Sequence, residues 1–229
     1  MKKGFTLVEI MIVVSIIGVV AALTMPQLIN NYQEQVTVSR VKETYSIFQQ
    51  AYDRAVQDRG PMRYWDIGTG NNSASAEKLY NYFKPYLLKA RECGTATNSG
   101  CFAQNYTAMF SNQSYIYQPE TTNTYAGRGV LPNGTAFFFW SAGNSNHSGA
   151  IKIDINGVKG PNKAGVDFFN FGVGPSGITP SYTPIDQKGQ YGEYCKYNDS
   201  SQYNGVMCTG WITSNGNMDY LHRDVEVDN

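Results

Sequence analysis

The sequence Gly4-Phe5-Thr6-Leu7-Val8-Glu9, followed by an almost wholly aliphatic run from Ile10 to Leu23, decides the fold of this protein. No charged residue occurs between Ile10 and Gln33. An α-helix rises about 1.5 Å per residue, so about 20 residues cross the hydrocarbon core of a membrane. The segment from Ile10 to Ile29 supplies that length and is predicted to form a membrane-spanning helix.

Two lysines, Lys2 and Lys3, precede the apolar run. Positive residues stay on the cytoplasmic side of a membrane, so the rest of the chain is predicted to be translocated. Three other interpretations compete: a cleaved secretory signal peptide, a plain signal anchor and a buried core helix. The poor cleavage sequence Ala21-Ala22-Leu23-Thr24 disfavours the first, and the flanking lysines with the extreme apolarity disfavour the third.

Glu9 separates these interpretations because it lies at the edge of the apolar run. An acidic residue at the centre of a span costs about 2.5–3.5 kcal/mol on insertion, so such a group is normally paired. Neither a signal peptide nor a plain anchor gives a reason for this carboxylate. The sequence therefore predicts a partner for Glu9.

The stretch from Gly4 to Glu9 with the aliphatic helix behind it resembles the class III leader of type IV prepilins and type II secretion pseudopilins. Pro26, which is the only proline before Pro61, matches a proline that interrupts the helix in many pilins. The resemblance is strong over about residues 1–35 and concerns only the architecture in the rest of the chain.

The resemblance implies that prepilin peptidase cuts between Gly4 and Phe5 and methylates the new amino terminus on Phe5. It implies that Glu9 is the assembly glutamate, which neutralises the Phe5 amine of a neighbouring subunit. The implied partners are prepilin peptidase, other pilin or pseudopilin subunits and an inner-membrane assembly platform. The implied location is the bacterial inner membrane, with one span and a C-terminal head in the periplasm or outside the cell, and then an assembled filament.

Beyond the membrane the helix is predicted to continue to Arg59, where Gly60 and Pro61 stop it. Its apolar residues recur at steps of three and four and form one stripe: Val38, Val41, Tyr45, Phe48, Tyr52 and Ala55. A second helix is predicted after Asn71, with Ser75 as its cap and Pro85 shortening it. The helical stripe is expected to be the seat of a globular head.

The later chain shows strand patterns. A hairpin is predicted from Arg128–Leu131 and Thr135–Trp140 around Asn133-Gly134, with further strands at Ala150–Ile155 and Phe168–Val173. Residues 94–100 and 141–149 are predicted to be exposed loops. The predicted fold class is α+β: a long N-terminal transmembrane helix that continues into a head with an antiparallel sheet. The predicted segments are 1–4 leader, 5–29 transmembrane and assembly helix, 30–59 periplasmic half of the helix and 60–229 head.

Four cysteines form two local pairs, Cys93 with Cys101 and Cys195 with Cys208. An even number in an exported chain favours two disulfides, and the alternative is four unpaired buried thiols. The second pair also resembles the disulfide-bounded region of type IV pilins, whereas the first departs from their one-disulfide pattern.

The densest polar cluster contains Asp154, Asn156 and Asp167 around glycine turns. Carboxylate and amide oxygens suit Ca²⁺, so these three residues are candidate calcium ligands, and apart from a calcium ion no cofactor is expected. Their spacing is not that of an EF-hand, and side chains of this kind also bond their own backbone in Asx turns. Both interpretations stay open at this stage.

The function predicted from the sequence is a structural subunit of a type IV pilus or type II secretion pseudopilus. No catalytic motif is present, so an enzyme is not expected. The alternatives are a minor or tip pilin that binds DNA or a surface, and a solitary membrane-anchored binding domain. The formal net charge of zero and the lack of a Lys/Arg cluster disfavour nucleic acid.

Overall fold

The computed structural model describes residues 4, 6–94, 99–115, 117–122, 125–144, 147–180 and 194–225. The chain divides into two compact units, Met1–Val36 and Thr37–Asn229. The second unit is called the head below. Phe5, Lys2 and Lys3 lie outside the described residues, as do parts of both predicted exposed loops.

Helix α1 runs from Leu7 to Arg59 and includes Pro26. It ends as the sequence predicts, since Gly60 takes a positive φ of 80° that most side chains avoid, and Pro61 follows. The predicted stripe is the buried face of α1 in the head, except that Tyr45 is half-buried. Thr44 and Ala51 are also buried there.

Helix α2 spans Ser73–Phe83, and its cap differs from the prediction. The side chain of Asn72 accepts a hydrogen bond from the Ser75 backbone N–H at 2.9 Å, so Asn72 is the cap and Ser75 is inside the first turn. Asn72 also donates to the Thr69 carbonyl at 2.8 Å, which fixes the entry of the chain. Pro85 shortens the helix as predicted, and a 3₁₀ turn covers Lys84–Tyr86.

The described residues of the head form one antiparallel meander of six strands, which lie side by side in sequence order. The strands are β1 (Arg91–Gly94), β2 (Ala126–Val130), β3 (Ala136–Gly143), β4 (Ser148–Asp154), β5 (Phe168–Gly174) and β6 (Gly177–Thr179). The predicted hairpin and both further strands are confirmed. Strands β1 and β6 were not predicted, and much of 141–149 belongs to β3 and β4 instead of an exposed loop.

The two faces of the sheet are covered differently. On one face Phe48 of α1 packs edge-on against Phe137 and Phe139, with ring centroids 5.4 and 6.0 Å apart. On the other face Phe138 packs against Phe102, and Phe168 packs against Tyr106. The irregular segment that begins at residue 99, together with helix α3 (Cys208–Asn215), forms this second cover. Most of the cover has no regular secondary structure.

Buried polar side chains hold the irregular cover together. Asn204 is fully buried, accepts from the Lys196 N–H and donates to the carbonyls of Lys196 and Asp199, at 2.8–3.0 Å. Glu120, also fully buried, accepts from the Ser99 backbone and hydroxyl and from the Phe102 N–H. A segment without regular structure must satisfy its backbone groups in this way.

Both predicted disulfides are present. Cys93 bonds to Cys101, which ties edge strand β1 to the irregular cover. Cys195 bonds to Cys208 and ties the start of α3 to the loop that Asn204 organises. A disulfide that closes a short loop is worth about 3 kcal/mol in the chain-entropy model, so the two bonds strengthen the part of the head with the least regular structure.

We expect Asn204→Ala to lower the free energy of unfolding by about 1–3 kcal/mol, because it leaves buried backbone groups without partners. Urea unfolding of the purified chain, followed by tryptophan fluorescence, measures this change. The matched control is Gln202→Ala, because Gln202 is exposed two residues away. Equal stability of the two variants would contradict the role given to Asn204.

Candidate functional site

The start of α1 is the first candidate site. Gly4 and Thr6 lie outside the helix, which begins at Leu7. The Glu9 carboxylate accepts hydrogen bonds from the Thr6 N–H and from the Thr6 hydroxyl, both at 2.8 Å. In return the Glu9 N–H donates to the Thr6 hydroxyl at 3.3 Å. This reciprocal arrangement is a capping box.

Within a single chain, the partner of Glu9 in this capping box is Thr6. The signal was available in the sequence, since Thr-x-x-Glu ahead of an apolar run is the pattern of a capping box. The sequence reasoning identified Glu9 but not Thr6. Hydrogen bonds from Thr6 reduce the cost of the carboxylate, yet they leave its negative charge without a cation among the described residues near it.

The rest of this segment offers apolar surface in every direction. The described side chains from Leu7 to Ile29 are almost all exposed. Its two hydroxyl residues are satisfied within the helix, Ser15 by the Met11 carbonyl at 2.8 Å and Thr24 by the Val20 carbonyl at 3.0 Å. In the part of the chain that the structure describes, α1 is the one helix with the length and composition to cross a membrane.

The second candidate site is the connection between β4 and β5, which brings the three predicted calcium ligands together. The Asp167 carboxylate accepts from the backbone N–H groups of Asn162 and Lys163, at 2.8 and 2.7 Å, and from the Asn156 side chain at 3.3 Å. Asp154 accepts from the Asn156 N–H at 3.0 Å and from the Tyr106 hydroxyl. The three residues thus share one hydrogen-bonded turn.

The charge state of these two carboxyl groups is perturbed. Burial, and then the negative charge of Asp167, raise the pKa of Asp154 to about 8. Burial also raises the pKa of Asp167, and the N–H groups that point at it oppose that shift. Burial together with Asp154 raises the pKa of Tyr106, so its hydroxyl stays the donor.

The hydrogen bonds of this turn satisfy its carboxylates without a calcium ion. The side-chain oxygens of Asn156 and Asn162 are buried without a partner, which a cation could use. However, N–H and O–H donors already occupy the carboxylate oxygens that calcium would need. No group of three His, Cys, Asp or Glu residues that could hold a metal occurs in the described ranges. The turn accounts for these residues, and calcium binding stays a prediction.

A further buried polar pair was not predicted. Lys152 on β4 lies opposite Asn170 on β5, and its ammonium nitrogen donates to the Asn170 amide oxygen at 2.7 Å. The same nitrogen lies 3.3 Å from the centre of the Tyr117 ring. Burial lowers the pKa of Lys152. Because these contacts satisfy the lysine inside the irregular cover, we assign it a structural role.

Asp154 is expected to contribute a fall in the free energy of unfolding as pH rises from 5 to 9. The folded pKa of Asp154 lies above its unfolded value of about 4, so its contribution is complete below pH 4 and is lost through pH 8. The loss amounts to a few kcal/mol, since one pKa unit is worth about 1.4 kcal/mol. Thermal melting across this range measures it.

In that experiment Asp154→Asn should flatten the pH dependence, whereas Asp53→Asn, at an exposed carboxylate, should leave it unchanged. A bound cation would reverse the sign, because it favours the ionised carboxylates. A melting temperature that rises with pH in millimolar calcium would therefore contradict the hydrogen-bonded turn and support a metal site.

Comparison with known proteins agrees with this geometry. Residues 1–25 match the model of the prokaryotic N-terminal methylation motif. Residues 27–216 match the model of DUF6613, described as a family of unknown function. The second match covers most of the head, and the two models adjoin at residue 26, within the apolar part of α1.

Curated relatives are fimbrial proteins. Type IV major fimbrial protein FimA of Dichelobacter nodosus is 42% identical over 73 residues, which cover 31% of this chain and 46% of the relative. Fimbrial protein EcpC of Eikenella corrodens is 44% identical over 46 residues, 20% of this chain and 28% of the relative. The chain thus aligns with less than half the length of these relatives.

No solved structure matches the chain. The capped apolar helix, the methylation motif and the fimbrial relatives nevertheless agree with one another. The chain belongs to the DUF6613 family; its first 25 residues carry the prokaryotic N-terminal methylation motif, and part of it is similar to type IV fimbrial proteins.

Proposed function

We propose that this chain is a structural subunit of a type IV pilus or a type II secretion pseudopilus. In this proposal prepilin peptidase removes residues 1–4, and Phe5 becomes the methylated amino terminus. The segment 5–29 lies in the inner membrane, and the head is exported and later carried on the filament. The N-terminal methylation motif and the fimbrial relatives support a pilin-like subunit, while the steps of processing and assembly rest on the N-terminal site.

The observation that carries the proposal is that, among the described residues, Glu9 is paired with Thr6 and with no cation. Two hydrogen bonds from Thr6 satisfy oxygen lone pairs of the carboxylate, but Thr6 is neutral. A cut after Gly4 creates an ammonium group on Phe5, four residues before Glu9 in sequence. A neighbouring subunit that brings its Phe5 amine to this carboxylate neutralises both charges inside an apolar helix bundle.

The pairing also sets the position of each subunit. The exposed aliphatic side chains around Glu9 give many equivalent ways to pack two helices. Only one axial offset places an amine against the carboxylate. Breaking one partner of a buried ion pair costs about 3–5 kcal/mol, which is enough to discriminate between offsets. Glu9 therefore selects the register, and the aliphatic surface supplies the packing.

The processing step predicts a mature chain that begins with methylated Phe5. Mass spectrometry of the protein purified from membranes or sheared filaments measures this terminus. We expect the mass of residues 5–229 with one added methyl group and with both disulfides intact. A terminus at Met1, or one near Thr24, would overturn the proposed cleavage.

The assembly step predicts that Glu9→Gln blocks filament growth but leaves cleavage and membrane insertion intact. Glutamine also serves at this position of a capping box, so the substitution keeps the Thr6 hydrogen bonds and removes only the charge. The unmatched amine should then cost about 3–5 kcal/mol at every subunit. Filaments sheared from cells that carry only this variant measure the outcome.

The matched comparison is Gly4→Ala, which should reduce cleavage itself and accumulate the precursor. Cleaved Glu9→Gln monomers should instead accumulate in the membrane fraction. A normal filament yield from Glu9→Gln would show that Glu9 does not set the register, and the subunit would then have to be a peripheral or tip component.

A further inference from the structure

Lys152 and Asn170 bring an amine and a carboxamide together beneath the irregular cover. They lie directly opposite each other on β4 and β5, and they are only 1% and 0% exposed. The Lys152 Nζ atom is 2.7 Å from the Asn170 Oδ1 atom. An ammonium group is costly to remove from water, and an acceptor that is itself neutral does not cancel its charge. A reaction that turns this amine into a neutral group would remove that cost.

The surroundings of Lys152 favour the neutral amine, which is the reactive form. Its Nζ atom lies 3.3 Å from the centre of the Tyr117 ring. The face of a ring attracts a cation, but it does not replace the hydrogen bonds that water makes to an ammonium group. Burial accordingly lowers the pKa of Lys152 well below its usual range. A lysine amine that has lost its proton carries a lone pair and acts as a nucleophile.

The Asn170 amide is held in one orientation. Its backbone N–H donates to the Thr209 hydroxyl at 3.0 Å. Its side-chain nitrogen donates to the Val206 carbonyl at 3.2 Å and lies 3.4 Å from the Tyr115 hydroxyl oxygen. The amide therefore turns its oxygen toward Lys152 and its nitrogen toward Val206 and Tyr115. Fixed groups of this kind lower the entropic cost of a reaction between them.

We propose that Lys152 and Asn170 join through their side chains in an amide bond, which cross-links β4 to β5. The Lys152 nitrogen attacks the Asn170 Cγ atom and forms the new C–N bond. The bond between Cγ and Nδ2 breaks, its electron pair stays on Nδ2, and this nitrogen leaves as ammonia. One of the two amine protons goes to the leaving nitrogen, and the other remains as the N–H of the new amide.

Tyr115 is the group placed to carry that proton. Its hydroxyl is next to the leaving nitrogen, and burial raises its pKa well above the usual range, so it holds a proton at neutral pH. In the reaction the hydroxyl gives this proton to Nδ2 and takes one from the attacking amine. The tyrosine is thus unchanged at the end, and no reagent from outside the pocket is consumed.

The cross-link would be the third covalent tie of the head, after Cys93–Cys101 and Cys195–Cys208. It joins two neighbouring strands of the sheet and closes a loop over the turn that contains Asp154 and Asp167. The cross-link is independent of the filament function, since every group that forms it belongs to one head. In a filament it would keep these two strands together under a pulling force.

Peptide mapping of the full-length protein tests the bond. The disulfides are reduced and alkylated, and the unfolded chain is digested with trypsin. We expect residues 129–159 to stay joined to residues 164–188, at a mass one ammonia below their sum, because an acylated Lys152 is not cleaved. The mass expected above for residues 5–229 falls by the same amount. Cleavage after the exposed Lys159 shows that the digestion is complete.

Three variants and one reagent serve as controls. Lys152→Arg keeps the positive charge but is not a nucleophile, and Asn170→Ala removes the acyl group, so neither should give the linked peptide. Tyr115→Phe keeps the ring and removes the hydroxyl, and it should lower the linked fraction in freshly made protein. An Asn-Gly pair such as Asn156-Gly157 also loses ammonia when it forms a succinimide. Hydroxylamine opens a succinimide, whereas the linked peptide should survive it.

Recovery of residues 153–159 as a separate peptide from the unmodified protein would overturn the cross-link and leave the hydrogen-bonded pair. A linked peptide that persists in Asn170→Ala would overturn it as well, because the acyl group would then come from another residue. An equal linked fraction in Tyr115→Phe would overturn the role given to that hydroxyl. Each of these results leaves the filament function standing.

Discussion

The constraint on which this structure depends is that one continuous helix must serve two environments. From Leu7 to Ile29 the described side chains of α1 are apolar on all sides, whereas from Val38 onward only one stripe is buried. The first pattern suits a lipid bilayer or a helix bundle, and the second suits the surface of a sheet. The single carboxylate of the apolar part, that of Glu9, lies at the start of the helix and accepts hydrogen bonds from the capping residue Thr6.

In the head, the two faces of the sheet are covered by residues of different kinds. One face of the meander is closed by α1 and α2, so a regular aromatic core suffices there. Among the described residues, irregular segments and the short helix α3 cover the other face, and disulfides and buried polar groups such as Glu120 and Asn204 hold this cover in place. Buried polar groups cost free energy unless all their hydrogen bonds are made. The conformation in which these groups are fully hydrogen-bonded is therefore favoured over other conformations of the cover.

The sequence predicted the elements whose signal is local. The stripe of α1, the Asn133-Gly134 hairpin and strands β4 and β5 follow from periodicity and turn residues. Strand β1 was not predicted because Arg91 and Glu92 give no apolar alternation. Helix α3 was not predicted because Thr209, Gly210 and Ser214 are poor helix formers. Contacts between distant residues were not predictable either: Tyr106 donates to Asp154 across 48 positions, and Glu120 binds residues 18 and 21 positions away.

For the candidate sites too, the sequence predicted local features but not contacts that depend on the fold. Glu9 was recognisable because a charge in an apolar run is costly wherever it occurs, and its partner Thr6 lies within one helical turn. For Asp154, Asn156 and Asp167 the sequence showed the proximity correctly, but proximity does not decide between a cation and an N–H donor. In the structure the backbone N–H groups of residues 162 and 163 point at the Asp167 carboxylate and satisfy its oxygens without a metal. Identifying ligand residues therefore requires the donors around them, and those are known only once the chain is folded.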